Sequence, residues 1–346
     1  MKKFFAVAAS LILSAAMLTA CGSSAAPAAT TGAPETTAAA VTQAPETTEE
    51  TKSFHIAIVQ QLDHASLDEI RLAIEDELTK AAADKGFQVS YKEFNGQNDN
   101  TVLNQIGAQV VSDKYDAIIP IASLAAQCMV TAADGTNTPI IYAAVSDPAT
   151  AGLTDIPNVT GTSDALNTAF ILDMMLAAQP DVKTVGLLYS NSEANSQTPI
   201  AQAKEYLEQK GIAYIEKTGN STDEILTAAS SLVGRVEAVF TPTDNVVMAC
   251  EGAVAEILNQ AGIAHYTGAD SFVAAGAFTT SGVNYTELGT YTADMAVDIL
   301  LGGAVPEYHV MDGGIITVNT DTAETLGIDY SVFKTMANTV TEVTTL

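Results

Sequence analysis

The sequence has little positive charge, few cysteines and no tryptophan. Its 346 residues include three Cys and no Trp, and 14 Lys plus Arg stand against 41 Asp plus Glu, which gives a formal net charge of −27. Nucleic acid and anionic membrane surfaces are therefore disfavoured as partners, because phosphate binding needs clustered Lys and Arg. Three cysteines cannot form a disulfide scaffold. No two of them have the spacing of metal ligands, so we predict no metal site.

Common catalytic motifs are also missing. The sequence contains no G-x-S-x-G, no H-E-x-x-H, no Walker glycine loop and no G-x-G-x-x-G. Cys128 and Cys250 lie in helix patterns, which favours buried small side chains over nucleophiles. Paired carboxylates could still perform acid–base chemistry, so an enzyme remains an alternative. Our prediction is a protein that is not an enzyme and uses no cofactor.

The first residues read as a targeting signal. A short basic start precedes an apolar run from Phe4 to Ala20, which fits a signal peptide better than a membrane span. Leu18–Gly22 resembles a bacterial lipobox, which implies cleavage after residue 20 and lipidation of Cys21. The alternative is an ordinary secretory signal in which Cys21 has no role.

Residues 21–52 predict a disordered linker. They are mostly Ala, Thr, Ser, Pro, Gly and Glu, and APETT occurs twice, at Ala33–Thr37 and Ala44–Thr48. Such a composition cannot bury enough apolar surface to offset the entropy of ordering. With a lipid on Cys21, the chain would be a globule tethered to the extracytoplasmic face of the bacterial membrane.

From residue 53 onward the sequence predicts an α/β fold. Strand-like apolar runs alternate with amphipathic helix patterns such as Leu67–Ala83, which favours parallel sheets covered by helices on both faces. The pattern starts again near residue 184. A Lys-Gly pair ends a helix at Gly86 and again at Gly211, which suggests two similar Rossmann-like lobes.

Ligands of such sheets bind at the carboxyl ends of the strands. The loops at these ends carry Asp, Glu, Asn, Ser and one His but no Lys or Arg. Excess carboxylate suits a ligand with an ammonium group, and the ligand's own carboxylate could meet hydroxyls and helix N-termini. For each Asp, Asn or Ser, the competing interpretation is a helix N-cap.

Several segments resemble one family, the tryptophan/tyrosine-type substrate-binding lipoproteins of ABC transporters. They are DHASLD (63–68), SDKYDAIIPIASLAAQ (112–127), PIIYAAVSDPATAGL (139–153), NVTGTSD (158–164), KTVGLLYSNSEANS (183–196), SSLVGRVEAVFTPTDN (230–245) and GVNYTELG (282–289). The resemblance implies a type I periplasmic-binding-protein fold with three crossings between lobes. The first lobe would comprise residues 53–161 and 284–306, and the second residues 162–283 and 307–346.

The same resemblance implies a small amino acid-like ligand, most often aromatic, in the cleft between the lobes. The implied ligand contacts are His64, Ser123, Gln127, Asp147, Ser192, Asn195, Ser196, Asp244, Asn245 and Asp270.

We hypothesise that Asp244, with Asp147 or Asp270, pairs with the ligand's ammonium group. Turns at Ser192–Ser196 and Ser123 would hold its carboxylate. Tyr189, Tyr142 and Phe272 are candidate rings to flank its side chain, although each could belong to the core.

Closure of the lobes around the ligand would be the mechanism, and an ABC permease with its ATPase would be the partners of a monomeric receptor. The alternatives are a ligand-binding sensor or adhesin module and a receptor for a nucleoside or a sugar. Sugar and nucleoside sites usually stack rings on aromatic residues, often Trp, which this chain lacks.

Overall fold

The computed structural model describes residues 51–346, which form a compact unit. The predicted signal peptide, the lipidation site Cys21 and nearly all of the predicted linker lie outside the described residues. Within the described residues, no helix has both the length and the apolar composition needed to span a bilayer.

The first lobe is built on a six-stranded, wholly parallel sheet with the strand order β11-β5-β4-β3-β1-β2. Its strands are β1 (Ser53–Gln60), β2 (Gln88–Asn95), β3 (Ala117–Ile121), β4 (Ile140–Tyr142), β5 (Val159–Ser163) and β11 (His309–Val310). Its helices are α1 (Ala65–Lys85), α2 (Asn100–Asp113), α3 (Ser123–Ala132) and α10 (Tyr285–Leu300).

The second lobe has a seven-stranded sheet with the order β13-β12-β10-β9-β8-β6-β7. Its strands are β6 (Thr184–Tyr189), β7 (Ala213–Thr218), β8 (Ala238–Thr241), β9 (Ala264–Thr267), β10 (Thr279–Gly282), β12 (Ile315–Asn319) and β13 (Val340–Val343). Its helices are α4 (Thr168–Ala178), α5 (Ala194–Lys210), α6 (Thr222–Leu232), α7 (Asn245–Met248), α8 (Glu251–Gln260), α9 (Asp270–Ala274) and α11 (Thr320–Leu326). A 3₁₀ turn occupies Ser331–Thr335, and the β10–β12 pair is antiparallel within this mostly parallel sheet.

Local signals in the sequence account for several of these elements. The stripe of apolar residues on α1 is buried, and Gly86 and Gly211 end α1 and α5 in the left-handed conformation that favours glycine. Helix α10 packs along α1 so closely that a Cβ on Gly289 would lie 2.6 Å from the carbonyl oxygen of Ile70. The first lobe is therefore completed by a segment distant in sequence.

The chain crosses between the lobes three times, after Ser163, after Val283 and after Val310. Two of these crossings differ from the boundaries predicted at residues 161 and 306. Residues 162 and 163 still belong to β5, and β11 pairs with β5 through His309–Thr162 and Val310–Ser163. Strand β11 has two residues, which is too short to produce a recognisable pattern in the sequence. The last crossing was therefore predicted too early, at residue 306 instead of after Val310.

Candidate ligand-binding cleft

The carboxyl ends of both sheets face one another across a narrow cleft. It is lined from the first lobe and the hinge by His64, Ser66, Leu67, Ala122, Ser123, Ala144, Ser146, Asp164 and Tyr285, and from the second lobe by Asn195, Thr243, Asp244, Asn245, Met248, Ala269 and Phe272. The enclosed cavity measures about 20 Å³, which is room for about one water molecule. The lobes therefore have to separate before an amino acid can enter.

Direct hydrogen bonds hold the lobes together in this closed arrangement. They join His64 Nε2 to Asn245 Oδ1 (3.0 Å), Ser66 Oγ to Ser271 Oγ (2.5 Å), Ser146 Oγ to Thr243 Oγ1 (3.1 Å), Gln61 Nε2 to Glu193 Oε1 (2.8 Å) and Thr198 Oγ1 to Asp147 Oδ2 (2.6 Å). All but two of these ten side chains are polar groups without formal charge. When the lobes separate, water or a ligand can replace each of these hydrogen bonds at a small net cost, so the closed arrangement can open again.

Two helices direct their N-termini at the cleft, and neither is capped by the residue that precedes it, although the N–H of Leu124 in α3 donates to Gln61 Oε1 (3.1 Å). Helix α1 starts after His64 and α3 after Ala122, and neither preceding residue caps the helix with its side chain, whereas Asp99 caps α2. Ala122 has φ 77° and ψ 161°, a region that is essentially reserved for glycine. This strained turn places Ser123 and the first N–H groups of α3 beside the cleft, where they suit a carboxylate.

Asp244, the predicted partner of the ammonium group, already accepts hydrogen bonds from the protein at all of its acceptor positions. Its carboxylate accepts hydrogen bonds from the backbone N–H groups of Ser190, Val246 and Val247 and from Ser196 Oγ. A carboxylate offers about four acceptor positions, so none is left for a ligand in this arrangement. Burial raises the pKa of Asp244, and the four donors oppose that rise. Here the N-cap interpretation describes the residue.

Asp164 is the other carboxylate that lines the cleft, and it retains acceptor capacity. It is 5% exposed and accepts hydrogen bonds from Ser146 Oγ (2.8 Å) and Tyr285 Oη (3.0 Å). Burial raises its pKa, and no Lys or Arg among residues 51–346 pairs with it. It follows β5 directly at the first crossing, so its position depends on how the lobes meet.

Two buried acceptor atoms at the cleft have no donor in the described part of the chain. Asn245 Nδ2 donates to Glu193, which directs Asn245 Oδ1 at His64 and makes His64 Nε2 the protonated ring nitrogen. His64 Nδ1 is then an acceptor without a partner, as is Asn195 Oδ1. Burial lowers the pKa of His64, which keeps the ring neutral. Unpaired acceptors beside a carboxylate suit a ligand that carries N–H donors.

The predicted residues divide into four groups. His64, Ser123, Asn195, Asp244 and Asn245 line the cleft, and Ser196 lies behind it as a donor to Asp244.

Asp147 joins the lobes at the side of the cleft through Thr198. Gln127, Ser192 and Asp270 are not brought to it: Gln127 donates to the carbonyl of Ala151, Ser192 is exposed, and Asp270 lines a neighbouring crevice beside Glu69.

Of the three candidate rings, Phe272 lies at the cleft. Tyr142 is buried in the core of the first lobe, and Tyr189 donates to Glu216 away from the cleft. Sequence reasoning missed Asp164, Tyr285 and Ser66 as lining residues. Asp164 could have been found, because it ends the segment NVTGTSD, but β5 was not recognised there as a strand.

Comparisons with known proteins agree on one family. The family described as ABC transporter substrate binding protein matches residues 55–339. A tyrosine-binding protein from Clostridioides difficile (strain R20291) is 31% identical over 290 residues, which cover 81% of this chain and 82% of that protein.

Two solved structures bear on the conformation. An ABC domain in complex with L-Trp from Streptococcus pneumonia has 29% identity and a TM-score of 0.77, and the match covers 84% of this chain and all of that one. A ligand-free, open substrate-binding protein with adhesive properties from Clostridium difficile has 32% identity but a TM-score of 0.64, with 85% and 100% coverage. The better overlay on the complex, despite lower identity, agrees with closed lobes here.

Proposed function

The chain belongs to the family of ABC transporter substrate-binding proteins, which act outside the cytoplasm and are not enzymes, and on this premise we propose that it captures an amino acid for import. The two lobes form the type I periplasmic-binding-protein fold that the resemblance implied. The observation that carries the proposal is the cleft itself, where a buried carboxylate and two unpaired acceptors lie beside the N-termini of α1 and α3.

We assign the ligand's ammonium group to Asp164, with His64 Nδ1 and Asn195 Oδ1 as further acceptors. This replaces Asp244, whose acceptor positions are filled by its own helix cap and by Ser196. The ligand's carboxylate then meets the N-termini of α1 and α3 and the hydroxyl of Ser123. No Lys or Arg belongs to the described set of cleft-lining residues, so charge neutralisation relies on backbone N–H groups.

Apolar side chains in the same cleft receive the ligand's side chain. Leu67, Met248, Phe272 and Tyr285 line it. Two aromatic rings and a thioether suit an aromatic ligand, because rings gain from edge and face contacts beyond their buried area. Named relatives bind tyrosine or were solved with L-Trp, which supports the choice of an aromatic amino acid.

Capture proceeds by closure. In the open state the ligand binds one lobe, and the closed state gains contacts from both, so the ligand shifts the equilibrium toward closure by its differential contacts. It takes the place of direct bonds such as that between Ser146 and Thr243. The closed form is then the one that the permease, powered by its ATPase, receives from a receptor held at the membrane by lipid on Cys21.

A thermal-shift panel tests the proposed ligand class. The unlipidated chain is heated with each of the twenty amino acids, with nucleosides and with simple sugars, since a bound ligand raises apparent stability by mass action. Stabilisation by tyrosine, tryptophan or phenylalanine supports the proposal. Stabilisation by a sugar or nucleoside alone replaces it.

A role in adhesion is the second candidate, because one similar solved protein is described as having adhesive properties. Transport and adhesion separate in cells that lack the gene. Loss of uptake of the labelled amino acid with unchanged surface attachment supports import, and the reverse supports adhesion.

A further inference from the structure

A third buried acid, in addition to Asp164 and Asp244, lies between the lobes beside the cleft. Glu193 precedes α5 in the second lobe and is 2% exposed. Its carboxylate accepts from Gln61 Nε2 of the first lobe (2.8 Å) and from Asn245 Nδ2 of its own lobe (2.6 Å). All of these donors are neutral amides, so a charge on Glu193 has no counter-charge in the described part of the chain.

The surroundings of Glu193 make a proton favourable in the closed state. The charged group whose field reaches it is Asp244, another buried carboxylate, and the amide of Asn195 lies against the same carboxyl. His64 stands one residue further away, beyond Asn245. Two like charges in one dry site cannot both be stable without a cation.

The hydrogen-bond donors around Asp244 and Glu193 decide which of the two carboxylates is protonated. Asp244 has four donors, three of them backbone N–H groups, which stabilise its charged form. Glu193 accepts from two neutral side-chain amides, which stabilise its charged form less. The proton of the pair therefore resides on Glu193.

We propose that closure of the lobes takes up a proton on Glu193, so that capture of the ligand strengthens as the medium becomes mildly acidic. The bond between Gln61 and Glu193 is the element that couples the two events, since Gln61 moves with the first lobe. When the lobes open, Glu193 meets water and releases the proton. The link to ligand capture rests on the proposed function, whereas the proton uptake on closure does not.

The direction of the effect follows from the change in pKa. Burial, followed by the charge of Asp244, raises the pKa of Glu193 to about 7 in the closed state from the ordinary 4.5. Protonation therefore favours the closed state below pH about 7, and the gain is complete near pH 4.5. Above pH 7 the carboxyl is charged in both states and the contribution is lost.

His64 opposes this trend over part of the range. Closure buries it and lowers its pKa below 6.5, so the closed state loses stability as pH falls through 6.5. The two effects cancel in part below that pH. Wild-type closure should thus strengthen mainly between pH 8 and 6.5, and it should continue to strengthen to pH 5 in a His64→Gln variant.

A disulfide across the cleft permits a test without any ligand. Ser66 Oγ and Ser271 Oγ lie 2.5 Å apart on opposite lobes, so the double variant Ser66→Cys, Ser271→Cys should lock the closed state when oxidised and release it when reduced. The infrared band of protonated carboxyl groups is then followed from pH 4 to pH 8 in both states. The same pair of states with Glu193→Gln added is the control.

The expected result is a difference between wild type and Glu193→Gln: one carboxyl that loses its proton near pH 7 in the oxidised protein and near pH 4.5 in the reduced protein. Equal titration of this difference signal in both states, or no difference between wild type and Glu193→Gln near pH 7 in the oxidised protein, would overturn the proposal. Calorimetry of L-tyrosine binding at pH 7 in buffers of different ionisation enthalpy provides a second measurement. It should show proton uptake in wild type and none, or a release, in Glu193→Gln. If both proteins exchange the same number of protons, the proposal fails.

If L-tyrosine does not bind at all, that result counts against the proposed function. Proton uptake on closure is then decided by the infrared measurement alone.

Discussion

His64 and Asn245 meet across the cleft through a hydrogen bond of 3.0 Å between Nε2 and Oδ1. They begin a chain of side chains that runs from His64 through Asn245 and Glu193 to Gln61, and it passes from the first lobe to the second and back. Opening the lobes breaks this chain at both ends. The affinity for a ligand therefore depends on residues that do not touch it as well as on those that do.

Removing the His64 side chain should weaken ligand binding. His64→Ala deletes one bond between the lobes and one acceptor for the ligand, each with a net value of about 1 kcal/mol, so the affinity for the stabilising amino acid should fall roughly 10- to 30-fold. Isothermal titration calorimetry measures the change. Gln127→Ala is the matched control, because Gln127 bonds within its own lobe, and its affinity should stay within about twofold of wild type.

Neutralising Asp164 should affect recognition of the ammonium group in particular. A hydrogen bond to a charged group contributes about 1.5–3 kcal/mol, so Asp164→Asn should weaken amino acid binding at least roughly tenfold. The deaminated analogue of the same ligand should lose much less. Asp147→Asn and Asp270→Asn, tested alongside, should preserve the preference for the amine. A selective loss in either of them, with Asp164→Asn unaffected, would return the ammonium site to the residues predicted from sequence.

Asp244 should matter more for stability than for ligand contact. Asp244→Ala leaves four donors without their acceptor in a fully buried site, and we expect a loss of about 3 kcal/mol in the free energy of unfolding. Urea denaturation measures it. Asp99→Ala, which removes an exposed cap with two backbone donors, should lose clearly less, because water can replace the lost acceptor. Equal losses in the two variants would contradict the structural role.

The second lobe contains a buried pair of Glu251 and His265, with 2.9 Å between Oε1 and Nδ1. His265→Ala removes the partner of a buried carboxyl whose pKa is already raised by burial, so unfolding should become easier by about 3–5 kcal/mol. Glu251→Gln keeps a hydrogen-bonding amide opposite the ring and should cost less. Thermal or urea unfolding of both variants tests the order.

The α/β fold was predictable because its signals are local. The predicted helix pattern Leu67–Ala83 lies within α1, which ends before Gly86 as predicted, and β6 begins at Thr184, where the pattern was predicted to start again. The helix patterns around Cys128 and Cys250 correspond to α3 and to the start of α8. Strands β5, β11 and β13 were not assigned. Strand β5, Val-Thr-Gly-Thr-Ser, has few apolar side chains, and β11 has two residues, so their pairing depends on neighbours distant in sequence.

The cleft was predictable in position but only partly in its residues. Strand ends identified His64, Ser123, Asn195 and Asn245, which line it. The role of Asp244 depends on four donors from two segments distant in sequence, and no spacing in the sequence reveals that its acceptor positions are filled. Tyr285 reaches the cleft because the chain crosses back to the first lobe at Val283, a three-dimensional fact without a local signal.

A crystal structure of the chain with L-tyrosine or L-tryptophan tests the central claim most directly. We expect the amino acid between the lobes, with its nitrogen within hydrogen-bond distance of Asp164 and its carboxylate at the N-termini of α1 and α3. An amino acid bound elsewhere, or a purely anionic molecule occupying the cleft in its place, would contradict the account.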